Sequence, residues 1–595
     1  MATKKTALKK DPDCLTPQYL LQLDVPAAED IFNRLGQDQQ VQLVLAAPWQ
    51  KRLDIITLSE NARGLVQALP PQEIHMTVLQ NGAEDCLQLI ALTSHEQLRF
   101  LFDMECWLKD SLKAASISRW YAILAKCTEQ KVLDWFEKAD DEFLVGSFKK
   151  LIKVKKIQQD TDISEEYPDM PAATLDGIYF FTFLEHDAYS FVMPIFNALY
   201  QHDRARFYSL VEGIIWDSPS EVEEAAYAWK TRRLAEYGFP EFDEALSIYQ
   251  IMPDRELEGI RASIPHDTKD QSRTGAVLPR YVFSGDEMPR FFVTALGLVE
   301  NFDASQRIQQ AVIALANKII IADALEVQTA EDTQRALKKA AGCISIALES
   351  FSSGNAVIAL AYLEQVHPET LFRAGISLIM KVRKECMATA WHIPDRLLME
   401  SFMGTPLGET LHGLSMQRPV LYEGVINPHQ LQYRAFLTLQ DIHAAREALL
   451  VCSAVDNLLF VQWAIDPDWI MTGFISATTL AEPLQLHADA VFLTVLARYV
   501  LTGKTRLEAL SKAEAGYFID IVFEQRHDGS CCLKSSLLND TLAWLASFYD
   551  GTVPPALHTF TRSALDRLEE TFSSLAPKKT IEERYVDKLL FKLEQ

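Results

Sequence analysis

Five residues suited to proton transfer and anion binding fall within residues 409–423: Glu409, His412, Arg418, Tyr422 and Glu423. Carboxylates, an imidazole and a phenol can pass protons, and a guanidinium can hold an anion. Their setting, SFMGTPLGETLHGLSMQRPVLYEGV at 401–425, carries four glycines and two prolines. It reads as a loop-borne site, because loops on a rigid scaffold often hold function. The plainer alternative is an ordered connection between helical units.

Other reactive residue types stand alone. Cys531–Cys532 is a vicinal pair after His527-Asp528-Gly529-Ser530. It fits either a redox or soft-metal role or ordinary packing beside a turn. Glu185-His186-Asp187 brings ligand types together, but consecutive residues on a helix point in different directions. Asn317, Lys318 and Asp323 interrupt an apolar run, either as a buried network or as one exposed face. Gly503-Lys504-Thr505 resembles the end of a phosphate-binding loop, yet the earlier glycine position holds Arg498. The fingerprints H-E-x-x-H, G-x-S-x-G and G-x-G-x-x-G are missing from the sequence. No metal site and no cofactor are expected, and an enzyme is the less favoured reading.

The elements that would position such groups are helical. Gly36, Pro48, Glu60, Gln72, Glu84 and Glu96 recur every 12 residues. Twelve residues hold about two helical turns and a corner. Ala62, Ile74, Cys86 and Leu98 share one column of that repeat. Helices this short cannot stand alone and must stack. Residues 148–157, FKKLIKVKKI, form the densest basic patch and suit a lysine-guarded strand or helix end. Tyr179, Phe180, Phe181, Phe183, Tyr189, Phe191, Phe196 and Tyr200 follow closely. They predict either a strand leading into a helix or two helices, and aromatic density of this kind more often fills a core than lines a pocket. Ser218-Pro219-Ser220-Glu221 predicts a capping box opening a helix that stops at Gly238, with Arg232 and Glu236 paired on its surface. The last residues, KKTIEERYVDKLLFKLEQ, suggest a terminal amphipathic helix.

The expected fold class is mainly α: a short-helix array, then helical units, with few short strands. The polar stretches 158–171 and 263–287, with 401–425, divide the chain into 1–157, 172–262, 288–400 and 426–595. The chain has 595 residues and a net charge of −24. That charge repels phosphate backbones, so nucleic acid is an unexpected partner. The N-terminus has no apolar stretch of signal-peptide length, and Ala490–Leu496, the best apolar segment, is stopped by Arg498. Membrane insertion is not expected and a cytoplasmic location is. Nine scattered cysteines fit reduced thiols.

LVQALPPQEIHMTVLQNGAEDCLQLIALTSHEQLRFLFD, within residues 15–145, resembles the cytoplasmic N-terminal superhelix of MgtE-type magnesium transporters. The likeness implies stacked short helices; without a membrane segment it implies no transport. Across its length the chain also resembles a bacterial family known only as a domain of unknown function. The segments that carry this are FDMECWLKD, TLDGIYFF, EVEEAAYAWKTRRLAEYGFPEFDEALSIY, PVLYEG and YRAFLTLQDI. The first functional expectation is a binding or scaffold protein, its partner a protein with a basic patch. The alternatives are an enzyme or ligand-binding protein, with a site near 401–425 or in the aromatic-rich unit, and an acidic divalent-ion sensor.

Overall fold

The computed structural model describes residues 16–157, 173–264, 288–323, 325, 330–480, 482–525, 531–572 and 588–593. Helices dominate, and the strands are short and confined to small antiparallel sheets, as the sequence predicts. The chain divides into two compact units. One holds the described residues of Met1–Tyr249, Gly275–Met288 and Glu300–Ala340; the other holds those of Gln250–Thr274, Pro289–Val299 and Ala341–Gln595. The polar stretches 158–171 and 263–287 lie almost wholly outside the described residues.

In the first unit the 12-residue spacing becomes helices Gln37–Ala46, Trp49–Ile56, Ala62–Ala68, Pro71–Asn81, Leu87–Leu92 and His95–Glu105. Alternate helices pack together: Trp49–Ile56 on Pro71–Asn81, that helix on His95–Glu105, and Ala62–Ala68 on Leu87–Leu92. Ile74, Cys86 and Leu98 of the shared column are buried, and Ala62 is half-buried. Each short helix ends with carbonyls that have no partner within it. Polar side chains from neighbouring helices supply many of the bonds. Asn33 donates to Leu58 O at 2.8 Å, Gln97 to Val66 O and Leu69 O at 2.7 Å, and the Lys131 amine to Thr93 O.

The lysine patch forms the strand Ile152–Lys156, which pairs with Tyr179–Phe183 at one edge of a three-stranded sheet. Lys153, Lys155 and Lys156 are exposed while Ile152 is buried, the pattern of a guarded edge. The aromatic run is a strand followed by the helix Ala188–His202. Phe181, Phe191 and Phe196 fill the core with Phe148 and Phe207. The helix Pro219–Glu236 begins after Ser218 and ends before Gly238, whose φ of 81° breaks the helical path. Two local expectations fail there. Ser218 makes no side-chain cap bond, its hydroxyl lying 3.1 Å from Ser220 instead. Arg232 stacks over the Trp229 ring at 5.0 Å, a contact that desolvates its face better than an exposed carboxylate would.

The second unit packs Pro368–Ala388 on Leu407–Ser415 and Leu439–Asp456, with Pro555–Phe572 against the latter. The 401–425 stretch is largely regular: helix Arg396–Met403 runs into it, and helix Leu407–Ser415 and strand Leu421–Tyr422 lie within it. Its glycines permit close approach. A Cβ at Gly408 would overlap Glu400 O, and one at Gly413 would overlap Val420 O. Of the terminal segment 578–595 only 588–593 lies among the described residues, and that part is extended: Phe591 bridges Leu510, and Leu589–Phe591 are buried. Burial of three consecutive apolar residues suits a bridging strand better than a one-sided helix. No single helix among the described residues is long and apolar enough to cross a membrane.

Candidate functional site

The five polar residues of 409–423 are only partly brought together. Glu409 and His412 lie on helix Leu407–Ser415, Arg418 in the bend after it, Tyr422 on the following strand and Glu423 in the next turn. That strand pairs with Tyr433–Arg434, and this pairing completes the cluster. Tyr433 OH donates to Glu409 Oε2, and its ring lies 5.3 Å from Tyr422 and 6.2 Å from His412. His412 Nδ1 stands 2.8 Å from Glu400 Oε2, while Arg396 Nε donates to Glu400 Oε1 at 2.9 Å. Burial, then the Glu409 carboxylate, pushes the Tyr433 phenol up; burial and Glu409 do the same to Tyr422.

Glu423 belongs to a different constellation. Arg434 Nε donates to it at 2.6 Å and reaches Asp441 with both other nitrogens at 2.7 and 2.9 Å. Asp441 also accepts from the backbone N–H groups of Leu437 and Thr438. These bonds tie strand to helix. Among the described residues Glu400 bonds Arg396 and His412, Glu423 and Asp441 share the one guanidinium of Arg434, and Glu409 accepts the proton of Tyr433. A second histidine–acid pair, His392 Nδ1 with Asp456 Oδ2 at 2.6 Å, was not legible in the sequence.

A different feature stands out in the first unit: a cavity of about 450 Å³ bounded by helix His95–Glu105, the hairpin after it, and helices Pro219–Glu236 and Phe302–Ala322. Trp107, Tyr227, Leu234, Phe242, Ile320 and Ile321 supply its apolar walls. The charged lining is Asp103, Glu105, Lys109, Lys113, Arg119 and Lys230. The hairpin pairs Trp107 with Leu112 and Leu108 with Ser111, which leaves Lys109 and Asp110 at its tip. Lys109 takes φ 56°, a region that L side chains rarely adopt.

Most charges around this cavity are already held. Arg233 binds Asp103 through two nitrogens at 2.8 and 2.9 Å and reaches Asp140 at 2.6 Å. His75 Nε2 lies 2.8 Å from Glu105 Oε1. Glu84 clasps Arg119 at 2.7 and 2.9 Å, and that guanidinium holds the Glu84 carboxyl down at about 2. Lys109 sits exposed at the hairpin tip, and Lys230 is a half-buried amine of the lining. Its ammonium rests over the rings of Trp107 at 5.0 Å and Tyr227 at 5.2 Å. Among the described residues it has no hydrogen-bond or ion-pair partner. Burial lowers it from 10.5 to about 8, opposed by the charges of Asp103 and Asp110 and by Cys106.

Lys230 carried a signal in the sequence. Val222, Ala226 and Leu234 are buried on one stripe of helix Pro219–Glu236, and Lys230 occupies the position between the last two. A lysine in an apolar column at i, i+4 spacing is a charge drawn toward the interior. The other isolated motifs have structural partners. Asp323 accepts from Tyr249 at 2.8 Å and pairs with Lys339 at 2.7 Å, and Lys318 pairs with Glu244. Cys531–Leu533 is a strand paired with Phe523–Gln525, with His527–Ser530 outside the described residues. No group of three or more His, Cys, Asp or Glu able to hold a metal occurs among the described residues.

No curated protein and no solved structure matches the chain. Residues 29–592 match the model of a family of unknown function, DUF6178, and the chain therefore belongs to that family.

Proposed function

We propose that the protein is a ligand-binding protein whose first unit takes a small molecule with an anionic group on an apolar body. One observation carries this reading: the Lys230 ammonium faces a roomy cavity without a hydrogen-bond or ion-pair partner. A charge withdrawn from water costs free energy unless something pairs with it. Asp103 and Glu105, the two acids of the lining, are committed to Arg233 and His75. The lining also carries more cations than acids, in a chain of net charge −24. Cavities with apolar walls and a few polar groups are the usual form of small-molecule sites. Helix Pro219–Glu236 supplies both the amine and one ring beneath it.

A scaffold for a protein partner is the second reading. The paired rows of short helices favour it, and the acidic surface would steer a basic partner. The likeness of residues 15–145 to the MgtE-type superhelix belongs with this reading, since it concerns how short helices stack. A cytoplasmic location is part of the same proposal.

Mandelate, a carboxylate on an aromatic body, is the probe. Calorimetric titration of the full chain should register binding, and Lys230→Met should weaken it about tenfold or more, roughly 1.4 kcal/mol. No heat with wild type, or equal affinity in both proteins, sinks the ligand reading.

A further inference from the structure

We infer that Lys230 is a covalent capture point for carbonyl compounds, forming an imine with a 2-oxo acid held in the cavity of the first unit. The inference rests on the ligand-binding reading and narrows it to one chemical class. Its warrant is the contrast between two lysines of the same unit. Lys131 and Lys230 are both pushed down to about 8, chiefly by burial. The Lys131 amine is consumed by bonds to Thr93 O and to Thr93 Oγ1 at 3.0 Å, where it closes the end of a short helix. The Lys230 amine closes nothing. Among the described residues it meets the faces of Trp107 and Tyr227 and no hydrogen-bond partner, and beside them is a cavity of about 450 Å³. Ring faces attract an ammonium but offer no lone pair to hold its protons, so the nitrogen stays available to a ligand.

The surroundings select the carbonyl compound. Lys109, exposed at the hairpin tip of the lining, gives a carboxylate its counter-charge. Leu234, Phe242 and Ile320 give an apolar side chain its contact surface. A 2-oxo acid places its carbonyl next to its carboxylate, so seating the carboxylate beside Lys109 brings the carbonyl toward Lys230 Nζ. The neutral amine lone pair forms the C–N bond while the carbonyl π pair moves to oxygen. The two amine protons then leave with that oxygen as water, and the nitrogen pair closes the C=N bond. The step consumes amine and carbonyl, releases one water and requires no oxidant or reductant. At pH 7 an amine of this basicity is unprotonated on the order of a hundredfold more often than an ordinary surface lysine.

Benzoylformate differs from mandelate only in carrying a carbonyl where mandelate has a hydroxyl. The full chain is incubated with benzoylformate and borohydride at neutral pH, then mapped by peptide mass. The expected product is a single adduct on the peptide holding Lys230, heavier by one ligand less one oxygen. Its yield should exceed that at surface lysines about tenfold and fall when mandelate is in excess. Lys230→Arg should lose the adduct, and Lys131→Met, whose amine lies outside the cavity, should keep both mandelate binding and the adduct at Lys230. Mandelate binding with no adduct at Lys230, or adducts spread evenly over lysines, overturns the imine and leaves the cavity reading standing. Failure of both compounds to bind overturns the two together.

Discussion

The polar cluster around His412 and the cavity around Lys230 hold similar residue types but differ in what their charges touch. In the first, Glu400 is shared by Arg396 and His412, Glu409 by Tyr433, and Glu423 by Arg434. Apart from the Arg396–Glu400 bond, which lies within helix Arg396–Met403, each joins one element of the second unit to another. In the second, the acids are equally well held, but among the described residues the half-buried Lys230 amine has no hydrogen-bond or ion-pair partner and lines open space. Reactive residue types gathered together therefore do not mark a site by themselves. The mark is a group whose bonding capacity the fold does not use.

The largest expected effect breaks the comparison on its structural side. Arg434→Met strands Asp441, which is nearly fully buried, and Glu423 beside it. Removing one partner of such a pair costs about 3–5 kcal/mol. Urea unfolding should register that loss while mandelate affinity stays at the wild-type value. A stable Arg434→Met protein would mean that the cluster is not a structural brace.

Lys230→Met should act in the opposite way: mandelate binding weakened about tenfold or more, with unfolding midpoints equal to wild type or higher near neutral pH. The pH dependence sharpens this. Lys230 falls from 10.5 to about 8, so between those values the unfolded chain holds the proton more than the native one does. Stability then rises with pH across that window. Lys131 contributes in the same window. The test is the difference between wild type and Lys230→Met, which should grow in favour of wild type from pH 8 to 10.5. Asp103, Glu105, Asp110, Cys106, Lys109, Lys113 and Arg119 surround the amine and stay the same in both proteins. Parallel curves would show that Lys230 keeps its ordinary basicity.

The smallest effect concerns the hairpin tip. Lys109→Ala should weaken mandelate about two- to fivefold, the scale of an exposed ion pair of roughly 0.5–1 kcal/mol. It should leave imine formation centred on Lys230. An effect as large as that of Lys230→Met would move the centre of the site to the hairpin.

Much of the helical framework was legible because helix periodicity is local. The 12-residue spacing, Pro71 and Gly238 each act within a turn or two, and the helices start and stop near them. The sequence leaves 401–425 open between a loop and an ordered connection, because a glycine looks the same in sequence whether it frees a loop or admits a neighbouring backbone. Gly408 and Gly413 do the second, and only the nearby Glu400 and Val420 carbonyls reveal it.

The sequence by itself determined the helix class and the net charge of −24, and it spaced Val222, Ala226, Lys230 and Leu234 four apart. Tertiary structure decided which charges are spent. Asp103 meets Arg233 across 130 residues, and His75 meets Glu105 across 30. Charge pairing depends on distances of a few ångströms between side chains brought together by packing, and neither spacing nor composition encodes those distances.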